Sequence, residues 1–147
     1  FVVSEWIKPG TDIDLGGRVL TLLATPGHTS QSISLLDRSG KRLFTGDFIY
    51  PTMLYAFLPG ASMSAYRKTA DALLTTLPDD TILWAAHCCR RDEVYSAPWL
   101  SMQDLKDLAT VLEQRDSGST TMEGFFPRRT EVNRQMTLGT GFPWNNW

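Results

Sequence analysis

Residues 18–50, RVLTLLATPGHTSQSISLLDRSGKRLFTGDFIY, decide how this chain is read. The opening RVLTLLAT (18–25) is rich in Val, Leu and Thr and reads as a strand halted by Pro26-Gly27. QSISLLD (31–37) and KRLFT (41–45) flank Arg38-Ser39-Gly40 and read as a β-hairpin. Gly46-Asp47 closes its second strand. Two polar residues, His28 and Asp47, therefore stand just past strand ends. A third, His87, follows the short apolar strand TILWAA (81–86). Strand ends on one edge of a sheet converge in space, however far apart they lie in sequence. Two imidazoles and a carboxylate gathered there are suitable donors for Zn²⁺ or a similar divalent ion. The chain has two histidines, and both occupy such positions. The plain alternatives are a polar loop residue for each His and an ordinary turn for Gly-Asp.

Outward from this stretch, the elements are simple. A short alternation spans 11–15, between the turn signals Pro9-Gly10 and Gly16-Gly17. Residues 62–77 form an amphipathic helix whose Tyr66, Ala70, Leu73, Leu74 and Leu77 share a face, with Ser62 or Ser64 as cap and Pro78 as stop. Leu105, Leu108, Ala109 and Leu112 mark a second helix, with Ser101 and Asp104 in capping-box spacing. Extended pieces follow at 121–126 and 130–138, then the aromatic tail FPWNNW. The apolar stretch FIYPTMLYAFLPG (48–60), broken by two prolines, fits neither helix nor strand. It reads as a loop, either packed on the body of the domain or facing a substrate. The order of elements predicts an α/β (α+β) fold, a mixed sheet with helices on one face.

The 147 residues make one ordinary domain, 1–147, with 42% hydrophobic and 20% charged residues, which excludes a disordered chain. A net charge of −2 speaks against nucleic acid or an anionic membrane as partner. No apolar run reaches the roughly 20 residues of a membrane span. Residues 1–9 carry no signal-peptide pattern, and the adjacent Cys88 and Cys89 do not suit a disulfide, so the expected location is the reducing cytoplasm.

Thr25-Pro-Gly-His-Thr-Ser-Gln-Ser-Ile33 resembles the TPGHTxxS motif of the metallo-β-lactamase superfamily. Phe44-Thr-Gly-Asp-Phe-Ile-Tyr50 is similar to that family's F-[ST]-G-D-x-x-[YF] motif, and His87 stands where its last metal-binding histidine stands. The intervals of 19 residues from His28 to Asp47 and 40 from Asp47 to His87 suit the family. The resemblance runs from about Thr11 to the C-terminus and implies half of an αββα sandwich. It also implies two divalent ions (zinc, with manganese or iron as alternatives). His28 would complete a three-histidine set, Asp47 would bridge both metals and His87 would serve the second.

The resemblance further implies hydrolysis. A metal-activated water would attack the carbonyl of a small-molecule thioester, ester or lactam, with Asp47 orienting the nucleophile. Tyr50 and Tyr55 are candidate oxyanion donors or else core aromatics. Arg90, beside Arg91, is a candidate for a substrate phosphate or carboxylate, or a solvated turn residue. The segment after His87 differs from that of glyoxalase II, which disfavours hydroxyacylglutathione. The sequence departs from the family in one main respect: it lacks H-x-H-x-D-H, the motif that supplies the remaining ligands. A catalytic zinc site takes about three protein ligands plus water. This chain is thus expected to carry the C-terminal half of a site and to bind metal weakly unless another chain or a missing N-terminal half completes it. The alternative expectation is a non-catalytic half-domain that self-associates as a homo-oligomer or binds a partner.

Overall fold

The computed structural model describes residues 2–87, 98–116 and 128–140. Its strands are β1 (Asp12–Asp14), β2 (Val19–Ala24), β3 (Ile33–Asp37), β4 (Arg42–Gly46), β5 (Thr52–Tyr55), β6 (Ile82–Ala85), β7 (Trp99–Leu100), β8 (Arg128–Glu131) and β9 (Met136–Thr140). The helices are α1 (Met63–Thr76) and α2 (Met102–Asp116). Six strands form one mixed sheet in the order β1-β2-β3-β4-β6-β7, and β5-β9-β8 form a second. The expected hairpin is present: β3 and β4 pair antiparallel, with Leu36 opposite Leu43. β4 and β6 are parallel, so the chain needs a crossover between them, and α1 lies within it.

The register separates the two faces of the large sheet. Thr21, Leu36, Leu43, Leu83 and Leu100 lie opposite one another in a row across β2, β3, β4, β6 and β7. The four leucines of that row join one core with Tyr66, Ala70 and Leu73 of α1 and Leu105, Leu108 and Leu112 of α2. Each such leucine contributes about 1.5–3 kcal/mol by leaving water. Both helices therefore sit on this face, as the sequence predicts. The neighbouring row, Leu22–Leu35–Phe44–Trp84–Trp99, points the other way. There Phe44 is 38% and Trp99 55% exposed, and Ile33, one pair along, is 51% exposed.

Local chemistry fixes the helix ends. Ser62 caps α1 by accepting the Ala65 N–H, and the helix gives out at Leu77 before Pro78. Ahead of α2, the Ser101 N–H and hydroxyl both donate to Asp104 Oδ2, while Ser101 Oγ receives the Asp104 N–H. This is a capping box with Asp in the Glu position.

Two sequence expectations are revised. The stretch 48–60 contains strand β5, paired in parallel with β9. The expected extended piece 130–138 is two strands, β8 and β9, turned at Asn133, whose side-chain oxygen accepts the Gln135 and Met136 N–H groups. The expected piece 121–126 lies outside the described residues. No helix among the described residues is long and apolar enough to cross a membrane.

Candidate metal centre at the strand ends

A ladder of buried hydroxyls underlies the ends of the central strands. Thr25, Ser34 and Thr45 are each essentially inaccessible. Thr25 Oγ1 and Ser34 Oγ are 2.8 Å apart, and Ser34 Oγ donates to Thr45 O at 3.3 Å. Thr45 Oγ1 lies 2.8 Å from Ile49 O and 3.2 Å from Trp84 O, sharing its one proton between them. A buried hydroxyl without a partner is costly, so this ladder holds the strand ends in fixed relation. Thr25 precedes His28 by three residues and Thr45 precedes Asp47 by two. Neither threonine stands out in the sequence as a site residue, although both belong to the two motifs.

His28 is held from below by α1. Gly27 O accepts the Ser62 N–H at 2.9 Å, and Pro26 O accepts the Thr69 hydroxyl at 2.7 Å. Gly27 passes so close to the helix that a Cβ there would stand 2.6 Å from Tyr66 Cγ and 2.9 Å from its Cα. Only glycine fits. Beyond this crossing the His28 ring meets β5, with Nδ1 3.0 Å from Tyr55 O.

Asp47 and His87 come together at the ends of the parallel pair. Gly46 adopts φ +55°, a left-handed turn that glycine takes without strain. The Phe48 N–H returns to Thr45 O, and the Ala86 N–H reaches Gly46 O at 3.2 Å. This brings His87 Nε2 to 3.0 Å from Asp47 Oδ1. Both side chains are about half exposed, so the contact itself adds little stability. Tyr50, fully buried, lays its ring edge-on to His87 with centroids 5.0 Å apart. Burial raises the Tyr50 hydroxyl above its ordinary range, the Asp47 charge pushes the same way, and the Tyr55 backbone N–H at its oxygen works against them. Tyr50 therefore keeps its proton. Tyr66, behind it, stacks on Phe48, donates its hydroxyl to Phe48 O and is also shifted up by burial.

The structure thus joins two of the three expected ligands directly, Asp47 and His87. His28 instead meets the main chain of Tyr55, while the ring of Tyr50 bears on His87. Among the described residues, no group of three or more His, Cys, Asp or Glu lies close enough to hold a metal ion. The Tyr55 ring, partly exposed, packs edge-on to Phe57. Arg90 and the Cys88-Cys89 pair lie outside the described residues. The donor types, two imidazoles and a carboxylate, are of a kind that fits a borderline-soft divalent ion.

A sequence profile for the metallo-beta-lactamase superfamily matches residues 1–87. The chain belongs to this superfamily. Human acyl-coenzyme A thioesterase MBLAC2 is 40% identical to it over 68 residues, 46% of this chain and 24% of the relative. The hydroxyacylglutathione hydrolase of Bartonella quintana is 30% identical over 88 residues, 58% of this chain and 33% of the relative. Among solved structures, ETHE1 from Myxococcus xanthus superposes with a TM-score of 0.56 at 24% identity, covering 76% of this chain and 52% of that one. This last likeness supports the fold alone. As a member of the metallo-beta-lactamase superfamily, the chain spans about a quarter to a third of the length of these curated relatives.

Proposed function

We propose that this chain carries part of the active site of a metal-dependent hydrolase acting on acyl thioesters. The observation that carries the reading is the Asp47–His87 pair, 3.0 Å apart at the ends of parallel strands, in a chain of this superfamily. Asp47 and His87 would contribute to one ion and His28 to another, since the three side chains do not gather around a single point. A divalent ion there would polarise the substrate carbonyl and lower the pKa of water. Asp47 and His87 would orient the incoming water, and the hydroxyl ladder of Thr25, Ser34 and Thr45 keeps their strand ends in place. The thioester class is supported by the similarity to an acyl-coenzyme A thioesterase and a hydroxyacylglutathione hydrolase. The latter likeness keeps glutathione esters in the substrate range that the segment after His87 speaks against. Metal analysis after zinc dialysis, with hydrolysis of a long-chain acyl-coenzyme A, tests the reading. It expects more zinc bound, at the same free zinc concentration, by the native chain than by His28→Ala or Asp47→Ala. Equal zinc in all three proteins, with no hydrolysis in any, would sink it.

A second reading rests on the uncovered row of the large sheet. Phe44, Trp84 and Trp99 with Ile33 form an apolar strip of the kind that marks an interaction surface. On this reading the chain self-associates through that face as a non-catalytic half-domain. Light scattering behind size exclusion tests it: a monomer at high concentration refutes self-association.

A further inference from the structure

Among the described residues, β5 is paired on one side only, by β9. Its Thr52 N–H donates to Gln135 O and its Ala56 neighbour's N–H to Gly139 O. In a parallel ladder, alternate residues turn their main-chain groups to opposite sides. Tyr55, between Leu54 and Ala56, therefore turns its N–H and C=O to the side away from β9. On that side the C=O faces His28 Nδ1 at 3.0 Å. A carbonyl can only accept, so Nδ1 must carry the proton of a neutral imidazole. Nε2 then holds the lone pair, and among the described residues it has no hydrogen-bond partner.

We propose that Tyr55 is a positioning residue that acts through its main chain: its carbonyl selects the Nδ1–H tautomer of His28 and leaves Nε2 as the ligating atom. The proposal rests on the metal-site reading above for its purpose but not for its test. Thr52, where β5 begins, has φ +126°, a value that a β-branched residue adopts only when its surroundings impose it. That strained start sets the strand's approach, and with it the direction of the Tyr55 carbonyl.

The test is nitrogen-15 NMR of the histidine rings in metal-free protein at about pH 8.5, above the imidazole range. With two histidines in the chain, His87→Gln leaves His28 as the single imidazole. If that variant does not fold, through-space contacts to Tyr55 identify His28 in the native protein. The expected spectrum shows a pyrrole-type Nδ1 and a pyridine-type Nε2. A protonated Nε2, or two nitrogens averaged by exchange between tautomers, overturns the proposal. Zinc added to the same sample separates the two readings. A shift confined to Nε2 supports both. An unmoved spectrum with Nδ1–H in place leaves Tyr55 as the positioning residue and removes zinc as the ligand.

Discussion

Gly27→Ala tests the tightest crossing beneath the site. The added methyl would stand 2.6 Å from Tyr66 Cγ, 2.7 Å from Cδ2 and 2.9 Å from Cα. Real Cβ atoms do not approach other carbons so closely, so something must move. The Tyr66 ring cannot swing aside, because it is fully buried, stacked on Phe48 and anchored through its hydroxyl to Phe48 O. The clash with the main chain of Tyr66 involves α1 itself, which is tied back to the same loop through the Ser62 N–H to Gly27 O. Overpacking of a close-packed site costs about 1–3 kcal/mol, and rigid neighbours on both sides place this case near 3. That is about a hundredfold loss in the ratio of folded to unfolded protein. In urea, with a slope of about 2 kcal/mol per molar, the midpoint should fall by about 1.5 M. Gly60→Ala is the control: its φ is +86°, and nothing lies within 4 Å of the added Cβ. It should cost about 1 kcal/mol, from backbone strain alone. Equal midpoints for the two variants would refute the steric argument. So would a Gly27→Ala protein as stable as the native chain.

Other outcomes follow from the same geometry. Thr45→Val keeps the shape but leaves Ile49 O and Trp84 O without their shared donor. The expected loss is about 1–3 kcal/mol by chemical denaturation, with a weaker zinc affinity as Asp47 loosens. Thr52→Gly should raise stability by about 1 kcal/mol, since relief of a positive φ outweighs the entropy that glycine adds to the unfolded chain; a lower thermal midpoint would contradict this. The Asp37 carboxyl is held below its ordinary range, first by the Gly40 N–H, then by the Ser39 hydroxyl, with Arg18 assisting. A depressed folded-state pKa adds stability that is present above the unfolded value near 4. That stability is lost as pH falls through the folded one. Asp37→Asn should therefore flatten the stability–pH curve below about pH 4, and an unchanged acid limb would remove Asp37 from the account.

Much of this structure was open to reading from residue order. Pro26-Gly27 ends β2, Arg38-Ser39-Gly40 turns the β3–β4 hairpin, and the leucine spacing of α1 and α2 gives the buried faces, because each signal is local. The glycines before His28 and Asp47 mark both as residues aimed by turns. β5 escaped because its partner lies far along the chain and Pro51 and Pro59 enclose it, so no local pattern announces a strand. The role of Tyr55 escaped for a different reason. Its carbonyl does the work, and every residue type has a carbonyl. The pairing of Asp47 with His87 could be expected from converging strand ends, whereas the distance of His28 from them depends on how β5 intervenes.

The position of β5 also bears on the order in which the molecule assembles. Tyr55 is in register with Gly139, 84 residues further on. Closing so long a loop costs entropy before any contact repays it, and such pairings form late. The carbonyl that orients His28 would then reach its place only after the last strand has docked. A chain still emerging from the ribosome, or one cut short before Met136, would have the β2–β3–β4 hairpins and both motifs but no fixed imidazole. Competence for a ligand would in this way report completion of the fold, with distant parts of the sequence meeting at one ring nitrogen.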